Sequence, residues 1–376
     1  MSVHQSVLDR NSADLLNIIN HQHLNHREVD WQGIYNAAYH HRLIPVLNQQ
    51  IEQRESFPIP EEWRGIIQKK AARITFYHFQ LIREMVKLND CFNKNKLKAL
   101  HLKGLLLSQK LFGDLSLRST SDIDLLVSLS DLEGAEELLK AIGYKEQVYF
   151  SRRLNDWKWR HHHSTFISEE GLKVELHWRL HPGPGKEPSF QALWEQREMI
   201  IIAGNAFFMP GSDHLFQFLI MHGARHGWSR LRWLYDIHML VLKYGQAFSY
   251  RGGFVPEHVY GSALKLSKDI FNTEVPDEFS GLLTSEKSVS LADQTHIYLA
   301  HQINLHDGKL PDWIQDHHQH YLKQIMPIRQ RVVTWLSHFY PYPEDVNVIP
   351  LPRLLTPLYF PGKPLTWFLR KTMKSQ

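Results

Sequence analysis

The sequence predicts an α+β protein in which a mixed sheet, with helices on one face, lies between two helical regions. Apolar residues recur at helical spacing through residues 1–95. Residues 96–210 change to short β-rich runs that alternate with helices, and residues 211–376 return to helical spacing. We therefore expect an N-terminal helical region, a central mixed-sheet core and a C-terminal helical domain with these three boundaries.

The N-terminal region is dominated by one long predicted helix over residues 66–94. A breaker at residues 56–60 precedes it, and Glu61 and Glu62 would lie in a first turn, where the helix dipole favours acidic side chains. The histidines of this region have no Cys or carboxylate at ligand spacing. We interpret them as solvated or locally bonded side chains.

The central region alternates apolar runs with turn residues, which predicts strands separated by short helices and loops. Its last two β-rich runs are joined by residues 168–171, whose composition suits a hairpin turn. The predicted strands lie at residues 99–102, 122–127, 147–152, 163–167 and 172–178, and the predicted helices follow Gly104 and span 131–142.

The C-terminal region begins with a helix capped by Ser212 or Asp213. Further helices are predicted at 231–244, 257–271 and 291–305, and the polar segment 277–290 is interpreted as a linker. The last 65 or so residues are rich in Pro and aromatic residues, and the prolines are expected to prevent long helices. We interpret the aromatic residues of this tail as core or as a packing arm.

Composition excludes several classes of function. Of 376 residues, 43% are hydrophobic and 22% charged, as in an ordinary globular protein. The net charge of +4 favours an anionic substrate and falls short of a typical nucleic-acid-binding protein, so nucleic acid is not the expected partner. With one cysteine and no apolar run near the roughly 18 residues of a membrane span, we expect a cytoplasmic protein with no membrane partner. The oligomeric state does not follow from the sequence.

Two aspartates open one of the predicted strands. Because side chains alternate along a strand, Asp122 and Asp124 point to the same side while their neighbours face the core. A carboxylate pair beside a core is costly unless a cation or a proton offsets it. The same alternation places Glu175 and His177 on the polar face of another strand. Asp122, Asp124 and Glu175 therefore form a candidate set for two Mg²⁺ ions in phosphoryl transfer.

Upstream of the aspartates, Gly104 opens a helix directly after a strand. Its amide and the positive end of the helix can approach phosphate oxygens without an intervening side chain. Lys103 and Arg118 are placed to neutralise phosphate charge.

The order of these motifs resembles the uncharacterised nucleotidyltransferase family of the DNA polymerase β superfold. The resemblance covers roughly residues 95–245 and includes a helical element typical of that family. Its motifs are Lys103-Gly104, Arg118-Ser119-Thr120-Ser121-Asp122-Ile123-Asp124-Leu125-Leu126-Val127, Val174-Glu175-Leu176-His177-Trp178, His222-Gly223-Ala224-Arg225-His226, Trp228 and residues 231–237.

The resemblance implies a polymerase β-like core in which Asp122, Asp124 and Glu175 are the catalytic metal carboxylates. It also implies that the Gly104 turn holds the nucleotide phosphates, with Lys103, Arg118 and Ser121 completing the nucleotide site.

The chain departs from the pattern of polymerase β-like enzymes at the phosphate turn. Those enzymes have Gly-Ser or Gly-Gly there, whereas Leu105 follows Gly104 in this sequence. Lys103 or Arg118 would substitute for the missing serine. Turns of the Lys-Gly type also occur in nucleotidyltransferase-type toxins, which this chain resembles in that respect.

A second basic cluster lies further along the chain. The cluster could face the triphosphate or an anionic acceptor, or form structural ion pairs with Asp236; its members are Arg225, His226, Arg230 and Arg232. His177 could orient a carboxylate or simply pack beside Trp178. Four residues, His177, Arg225, Arg232 and Asp236, are the candidate acceptor or phosphate contacts.

Two histidine patterns resemble metal motifs only superficially. His222 and His226 are four residues apart, but no catalytic Glu lies between them, so a zinc protease is not indicated. The tract at residues 161–163 is interpreted as a basic strand edge.

The predicted activity is Mg²⁺-dependent transfer of a nucleoside monophosphate from an NTP to an acceptor, with release of pyrophosphate. The resemblance leaves the acceptor open among a sugar, another small molecule and a peptide. The alternatives are a toxin-like enzyme that modifies tRNA or protein, and a catalytically silent protein that holds a nucleotide.

Overall fold

The computed structural model describes residues 8–22, 24, 29–54, 57–147, 152, 154–245, 248, 253–305 and 309–373. Four helices precede the first strand, and the last of them is 34 residues long, about 50 Å. They are α1 (Arg10–Ile19), α2 (Trp31–His40), α3 (Ile44–Glu52) and α4 (Glu61–Lys94). The predicted long helix is confirmed and starts five residues earlier, at the acidic pair that follows Pro60.

Short strands and short helices alternate in the central region, as predicted. The strands are β1 (Leu100–His101), β2 (Asp122–Leu126), β3 (Lys145–Glu146), β4 (His163–Ile167), β5 (Lys173–His177), β6 (Glu198–Ile202) and β7 (Asn205–Met209). The helices are α5 (Leu105–Phe112), α6 (Leu132–Ala141), α7 (Trp157–Arg160) and α8 (Phe190–Glu195).

The described residues form a mixed five-stranded sheet in the order β1, β2, β5, β4, β3. The β2 and β5 strands are parallel, and every other neighbouring pair in this sheet is antiparallel. The β4–β5 hairpin is confirmed where the turn composition placed it. The strand predicted at residues 147–152 is not observed at residues 147 and 152, and residues 148–151 lie outside the described residues. The strand β3 lies just before that range. The hairpin of β6 and β7 was not anticipated from the sequence.

The sheet is held by the helices that follow and precede it. The apolar residues of β2 and β5, including Ile123, Leu125, Val174 and Leu176, are almost fully buried. Helix α4 contacts β2 and α6, and α6 contacts β3. The α+β prediction, with a mixed sheet between helical regions, is confirmed. One continuous apolar core joins all three regions, and their division at residues 95 and 210 stays a prediction.

The C-terminal region is helical over most of its described length. The helices are α9 (Ser212–Arg225), α10 (Leu231–Tyr244), α11 (Glu257–Phe271), α12 (Ser280–Thr284), α13 (Glu286–Ala300), α14 (Asp312–Ile325), α15 (Ile328–Ser337), α16 (Pro343–Val348) and α17 (Tyr359–Met373). Short 3₁₀ turns occupy Asp277–Phe279 and Arg353–Leu358. Within the described residues, no helix combines the length and the apolar character that crossing a bilayer requires.

Three predictions for this region were wrong. The aromatic residues of the tail were interpreted as core or as a packing arm, but Trp335, Phe339 and Trp367 are each more than half exposed.

The other two wrong predictions concern helices. The supposed linker at 277–290 contains a 3₁₀ turn, α12 and the start of α13, because Ser285 caps α13 and because Phe279 and Leu283 are buried. The prolines also fail to prevent a long C-terminal helix, since α17 runs for 15 residues through Pro361 and Pro364. Pro361 lies in the first turn, where a backbone N–H has no partner within the helix.

Candidate active site

A cleft of about 660 Å³ opens beside β2 and β5. Its volume is within the range of about 300–1,000 Å³ typical of small-molecule sites. One side, which we call the strand wall, carries Asp122, Lys173, Glu175 and His177 at the cleft surface. The strand wall also includes Asp124, which is buried and contacts His177 and Lys103. The other side, which we call the helix wall, carries residues of α9, of its C-cap and of α10. They are His222, Arg225, His226, Arg232 and Trp233.

The register of the two parallel strands brings the three predicted carboxylates together. Asp124 lies opposite Glu175, and Asp122 lies opposite Lys173. Because residues paired across parallel strands point to the same face, all three carboxylates emerge on the cleft side, opposite the buried apolar residues. The side chain of Asp124 is fully buried, whereas those of Asp122 and Glu175 remain about one-sixth exposed, at 18% and 17%.

Two lysines neutralise this acidic cluster. The Nζ atom of Lys103 is 2.5 Å from Oδ2 of Asp124 and 3.9 Å from Oδ1 of Asp122. The Nζ atom of Lys173 is 3.1 Å from Oδ2 of Asp122 and 2.8 Å from Oε1 of Glu175. Oδ2 of Asp122 and Oε1 of Glu175 both contact the single Nζ atom of Lys173. Their separation is therefore at most the sum of the two Lys173 distances.

Burial and ion pairing shift the pKa values of these groups in opposite directions. Burial by itself would lower the pKa of Lys103, but the carboxylates of Asp122, Asp124 and Glu175 outweigh it and raise that pKa. Burial would raise the pKa of Glu175, but the hydrogen bond from His177 and the charge of Lys103 hold it far below its usual range. Acidic and basic groups therefore remain charged side by side at neutral pH.

His177 lies between two of the carboxylates. Its Nε2 atom is 3.3 Å from Oδ1 of Asp124 and 3.6 Å from Oε2 of Glu175. Burial alone would lower the pKa of His177, but hydrogen bonds to the two carboxylates raise it. Its Nδ1 atom is buried and has no hydrogen-bond partner within the described part of the chain. Of the two readings of His177 from the sequence, this geometry matches the one in which it orients a carboxylate.

Two groups of three among the described residues bring ligand atoms within 4.8 Å of one another and could hold a metal ion. One is Asp124, Glu175 and His177, and the other is His162, His163 and His177. Within the second group, Nδ1 of His163 and Nε2 of His162 are 3.0 Å apart and share a hydrogen bond. Burial lowers the pKa of His163 to about 4, so it is neutral above that pH.

The turn before α5 has the backbone that the sequence suggested. Gly104 adopts φ +74°, a conformation that residues with a side chain rarely reach, and α5 begins at the next residue, Leu105. The cap of α5 has no side-chain hydrogen bond. The hydroxyl of Thr120 lies 3.6 Å from the point that a Cβ atom on Gly104 would occupy, and 3.4 Å from Oδ1 of Asp122. A hydroxyl therefore stands beside the turn although it comes from another loop.

Arg118 and Asp236 form a buried ion pair. The guanidinium donates to both carboxylate oxygens at 2.9–3.1 Å, and both side chains are at most 2% exposed. Arg232 donates to the backbone carbonyl of Ser119 in the same loop. The structure therefore ties the loop that precedes β2 to α10. Ser121 is exposed at the cleft, and its carbonyl accepts a hydrogen bond from Tyr77.

The helix wall is basic. Arg225 has no carboxylate partner among the residues that the structure describes, and burial lowers its pKa. Burial, helped by the charge of Arg118, also lowers the pKa of Arg232 to about 9. The His222 ring is held neutral because burial and the neighbouring His226 depress its pKa. Nε of Arg232 and Nε1 of Trp233 are buried without hydrogen-bond partners in the described residues.

A glycine in α9 explains how this wall is built. A Cβ atom on Gly223 would come within 2.2 Å of the ring of Trp228, so only glycine lets that ring pack there. The chain then reverses through Gly227 and Trp228, both at positive φ, and enters α10. The Gly223 and Trp228 positions of the motif are therefore structural and bring the basic residues of α9 and α10 to one side of the cleft.

Sequence reasoning missed several residues of the cleft. Lys173 and Thr120 contact Asp122, and His162, His163 and Arg42 line the cleft. Lys173 could have been found, because it lies two residues before Glu175 and therefore on the same polar face of β5. No sequence signal marked Arg42, which reaches the cleft from the connection between α2 and α3.

Comparison with known proteins gives a family. A family model described as uncharacterised nucleotidyltransferase matches residues 27–251, which is more than half of the chain. No curated protein matches the sequence.

Two solved structures resemble part of the chain. The lincomycin-bound lincosamide antibiotic adenylyltransferase LnuA is 18% identical, with a TM-score of 0.32 over 42% of this chain and 94% of its own. An antigenic nucleotidyltransferase-like protein from Paracoccidioides brasiliensis is 15% identical, with a TM-score of 0.31 over 53% of this chain and 94% of its own. Similarity at these TM-scores carries no argument about substrates.

The matched range contains the whole strand wall and the whole helix wall, together with the Gly104 turn. The resemblance read from the motifs is thereby confirmed at the level of the family. The chain belongs to the family of uncharacterised nucleotidyltransferases.

Proposed function

We propose that this protein transfers a nucleoside monophosphate from an NTP to an acceptor, with Mg²⁺ held by Asp122, Asp124 and Glu175. The observation that carries the proposal is the pairing of β2 with β5, which brings these carboxylates to one face of a cleft. Carboxylate oxygens are the ligands that Mg²⁺ prefers. We propose two ions, because three carboxylates lie on neighbouring strands and Lys103 and Lys173 now compensate them from two sides.

The donor set fits a divalent cation. Burial raises the pKa of both Asp122 and Glu175, and the charge of Glu175 raises that of Asp122 further, so both carboxylates need positive charge nearby to stay ionised. Lys173 supplies that charge from a side chain that is one-third exposed and can move toward solvent. When bound, Mg²⁺ would supply positive charge to the phosphates and to the attacking oxygen.

The Gly104 turn is proposed to receive phosphate oxygens. Its backbone approaches without a side chain, and the first turn of α5 adds unpaired N–H groups and the positive end of the helix. The hydroxyl of Thr120 lies beside the Gly104 turn, and Lys103 adds charge. In our proposal Thr120 and Lys103 therefore replace the serine that this turn lacks.

Arg118 is assigned a different role from the one suggested by its position in the motif. Its guanidinium is committed to Asp236, so we propose that Arg118 and Asp236 position the loop before β2. Ser121, which is exposed at the cleft, remains a proposed nucleotide contact. Arg225 and Arg232 remain proposed contacts to the triphosphate or to an anionic acceptor.

The reaction would be an in-line displacement at the α-phosphorus. The acceptor oxygen forms the new P–O bond, the bond to the bridging oxygen of the β-phosphate breaks, and pyrophosphate leaves. Glu175 or Asp124 would take the proton of the acceptor oxygen. Cationic groups of the cleft would offset the charge that develops on pyrophosphate.

The test is nucleotide transfer from each α-labelled NTP in the presence of Mg²⁺, with pyrophosphate release as a second readout. A mixture of small-molecule, sugar and peptide acceptors is supplied, and labelling of the protein itself is also recorded. The double variant Asp122→Asn, Asp124→Asn should abolish both signals. The variant Glu133→Gln changes an exposed carboxylate on α6 and should leave them unchanged. Unchanged activity in the double variant would overturn the assignment.

Binding is tested separately by thermal shift. Each NTP with Mg²⁺ should raise the unfolding midpoint of the native protein by mass action and should not raise that of the double variant. A shift without transfer or pyrophosphate release would indicate the nucleotide-holding alternative.

A further inference from the structure

The last two long helices and the segment between them expose an unusual amount of apolar surface. Within the described residues, 13 of the 21 exposed large hydrophobic side chains lie between residues 328 and 368. Monomeric soluble proteins rarely leave large apolar areas uncovered, and those that do usually bind something there. We call the exposed apolar side chains of α15, of Arg353–Leu358 and of α17 the C-terminal apolar surface.

Helix α15 shows this most clearly. Each of its ten residues is described, and none is buried. Ile328, Val332, Trp335, Leu336 and Phe339 follow the spacing i, i+4, i+7, i+8 and i+11, which places them on one face of the helix and its extension. Ile328 is 76% exposed, Trp335 61% and Phe339 62%. An amphipathic stripe that would normally face a core here faces outward.

The basic charge of the chain is concentrated in the same segment. Residues 327–376 contain seven Lys and Arg against two acidic residues, a net charge of +5, which exceeds the net charge of +4 of the whole chain. Arg329 and Arg331 of α15 are both exposed beside the apolar stripe. One of the two acids, Asp345, is buried in an ion pair with Arg370.

The charge and composition of this surface distinguish between three possible binding partners. A second copy of the chain would bring two segments of the same positive charge together, which opposes association. A nucleic acid would use the cations and aromatic rings but not the aliphatic side chains of residues 328–336 and 354–358. An anionic bilayer uses every group, because aliphatic side chains enter the acyl region, Trp and Phe lie at the interface and Arg and Lys contact the headgroups.

This surface is fixed relative to the cleft. Arg160 donates to the carbonyl of Ser337 at 2.7 Å and to that of Tyr340 at 3.2 Å, which anchors the end of α15 to the central region. A groove of about 290 Å³ lies between the start of α15 and the cleft, lined by Arg329 and Val333 on one side and by His181 and Arg225 on the other. A bilayer bound to α15 would therefore lie beside the cleft.

We propose that the C-terminal apolar surface binds the surface of an anionic phospholipid bilayer without crossing it. The sequence expectation of no membrane partner considered only membrane spans, and interfacial helices need no span. The proposal does not depend on the catalytic assignment, since it concerns a separate surface and is tested by binding alone.

The experiment is co-sedimentation of the full-length protein with phosphatidylcholine vesicles and with vesicles that contain 30% phosphatidylglycerol. We expect binding to the anionic vesicles that is at least tenfold stronger than binding to the neutral ones and that weakens with salt. The variant Val332→Ser, Trp335→Ser, Phe339→Ser should lower the partition coefficient at least tenfold. The variant Arg329→Gln, Arg331→Gln should lower binding to anionic vesicles only.

The matched control is Phe76→Ser, Phe79→Ser, which removes two exposed aromatic rings of α4 and should leave vesicle binding unchanged. Unfolding midpoints of all variants are measured, and all substituted side chains are exposed, so folding should survive. Absence of wild-type binding to anionic vesicles would overturn the proposal, as would equal binding to neutral vesicles. A dimer in solution that the Val332, Trp335, Phe339 variant dissociates, or tight RNA binding lost in the same variant, would overturn it in favour of those occupants.

Discussion

The two ion-paired carboxylates Asp124 and Asp236 are almost equally buried, but they lie in different surroundings. Asp124 on the strand wall shares Lys103 with Asp122 and contacts His177, in a cluster that opens to the cleft through two partly exposed carboxylates. Asp236 on α10 pairs with Arg118, and both side chains are at most 2% exposed. The comparison teaches that burial and ion pairing do not by themselves mark a catalytic group. What distinguishes the strand wall is a cluster of like charges at a cleft.

The largest effect is expected at Asp124. The isosteric change Asp124→Asn should reduce nucleotide transfer by roughly 10³-fold, because one charged ligand of the proposed metal site is lost. The free energy of unfolding should change less than in Asp236→Asn, because Lys103 still has the carboxylate of Asp122 as a charged neighbour. Steady-state kinetics and urea unfolding of both variants measure the two effects. Transfer within tenfold of wild type would remove Asp124 from the site.

The matched change in the buried Arg118–Asp236 pair is Asp236→Asn. It leaves the buried Arg118 without a charged partner and should lower the unfolding free energy by about 3 kcal/mol. Turnover per folded molecule should stay within a few-fold of wild type if the pair only positions the loop before β2. Urea unfolding and active-fraction kinetics test this, and a kcat loss as large as that of Asp124→Asn would assign Asp236 to the catalytic site.

A smaller effect is expected at His177, which contacts two proposed metal carboxylates. His177→Ala removes the hydrogen bond to Asp124 and the ion-pair contact with Glu175, and should weaken Mg²⁺ binding about 10–100-fold. Excess Mg²⁺ should restore most of the turnover. Calorimetric titration of Mg²⁺ with an NTP, and turnover as a function of Mg²⁺ concentration, measure both. The reading of His177 as only a packing residue predicts unchanged Mg²⁺ affinity.

The smallest effect concerns the helix wall and pH. His222 is neutral in the folded protein because burial holds its pKa below the ordinary value of 6.5. Below pH 6.5 the unfolded chain therefore binds more protons at this residue, and the free energy of unfolding falls as pH falls, by at most about 1.4 kcal/mol per pH unit. In His222→Gln, the loss of stability between pH 7.5 and 5.5 should be smaller than in wild type. Urea unfolding at the two pH values measures it, and equal losses would contradict the assignment.

Local pattern was sufficient for much of the fold. The alternation in β2 and β5 and the turn residues between β4 and β5 specified their structure, since a strand with one buried face must follow a period of two. The β6–β7 hairpin and α12 were missed, and the start of α13 was interpreted as a linker although the rest of that helix was predicted. Their stability comes from buried residues such as Phe207 and Leu283, whose burial depends on partners distant in the sequence.

The sequence by itself determined that Asp122 and Asp124 would share one face of β2 and that Glu175 would lie on the polar face of β5, because side-chain direction along a strand is a local property. The register that joins the two faces came from the tertiary structure. It also determined the family, through the order of its motifs. Only the tertiary structure decided that Arg118 pairs with Asp236 and that Lys173 and Thr120 join Asp122. It alone decided that the apolar stripe of α15 faces outward. The physical reason is that charge pairing and burial depend on which segments the fold brings within a few ångströms, and that is set by packing across the whole chain.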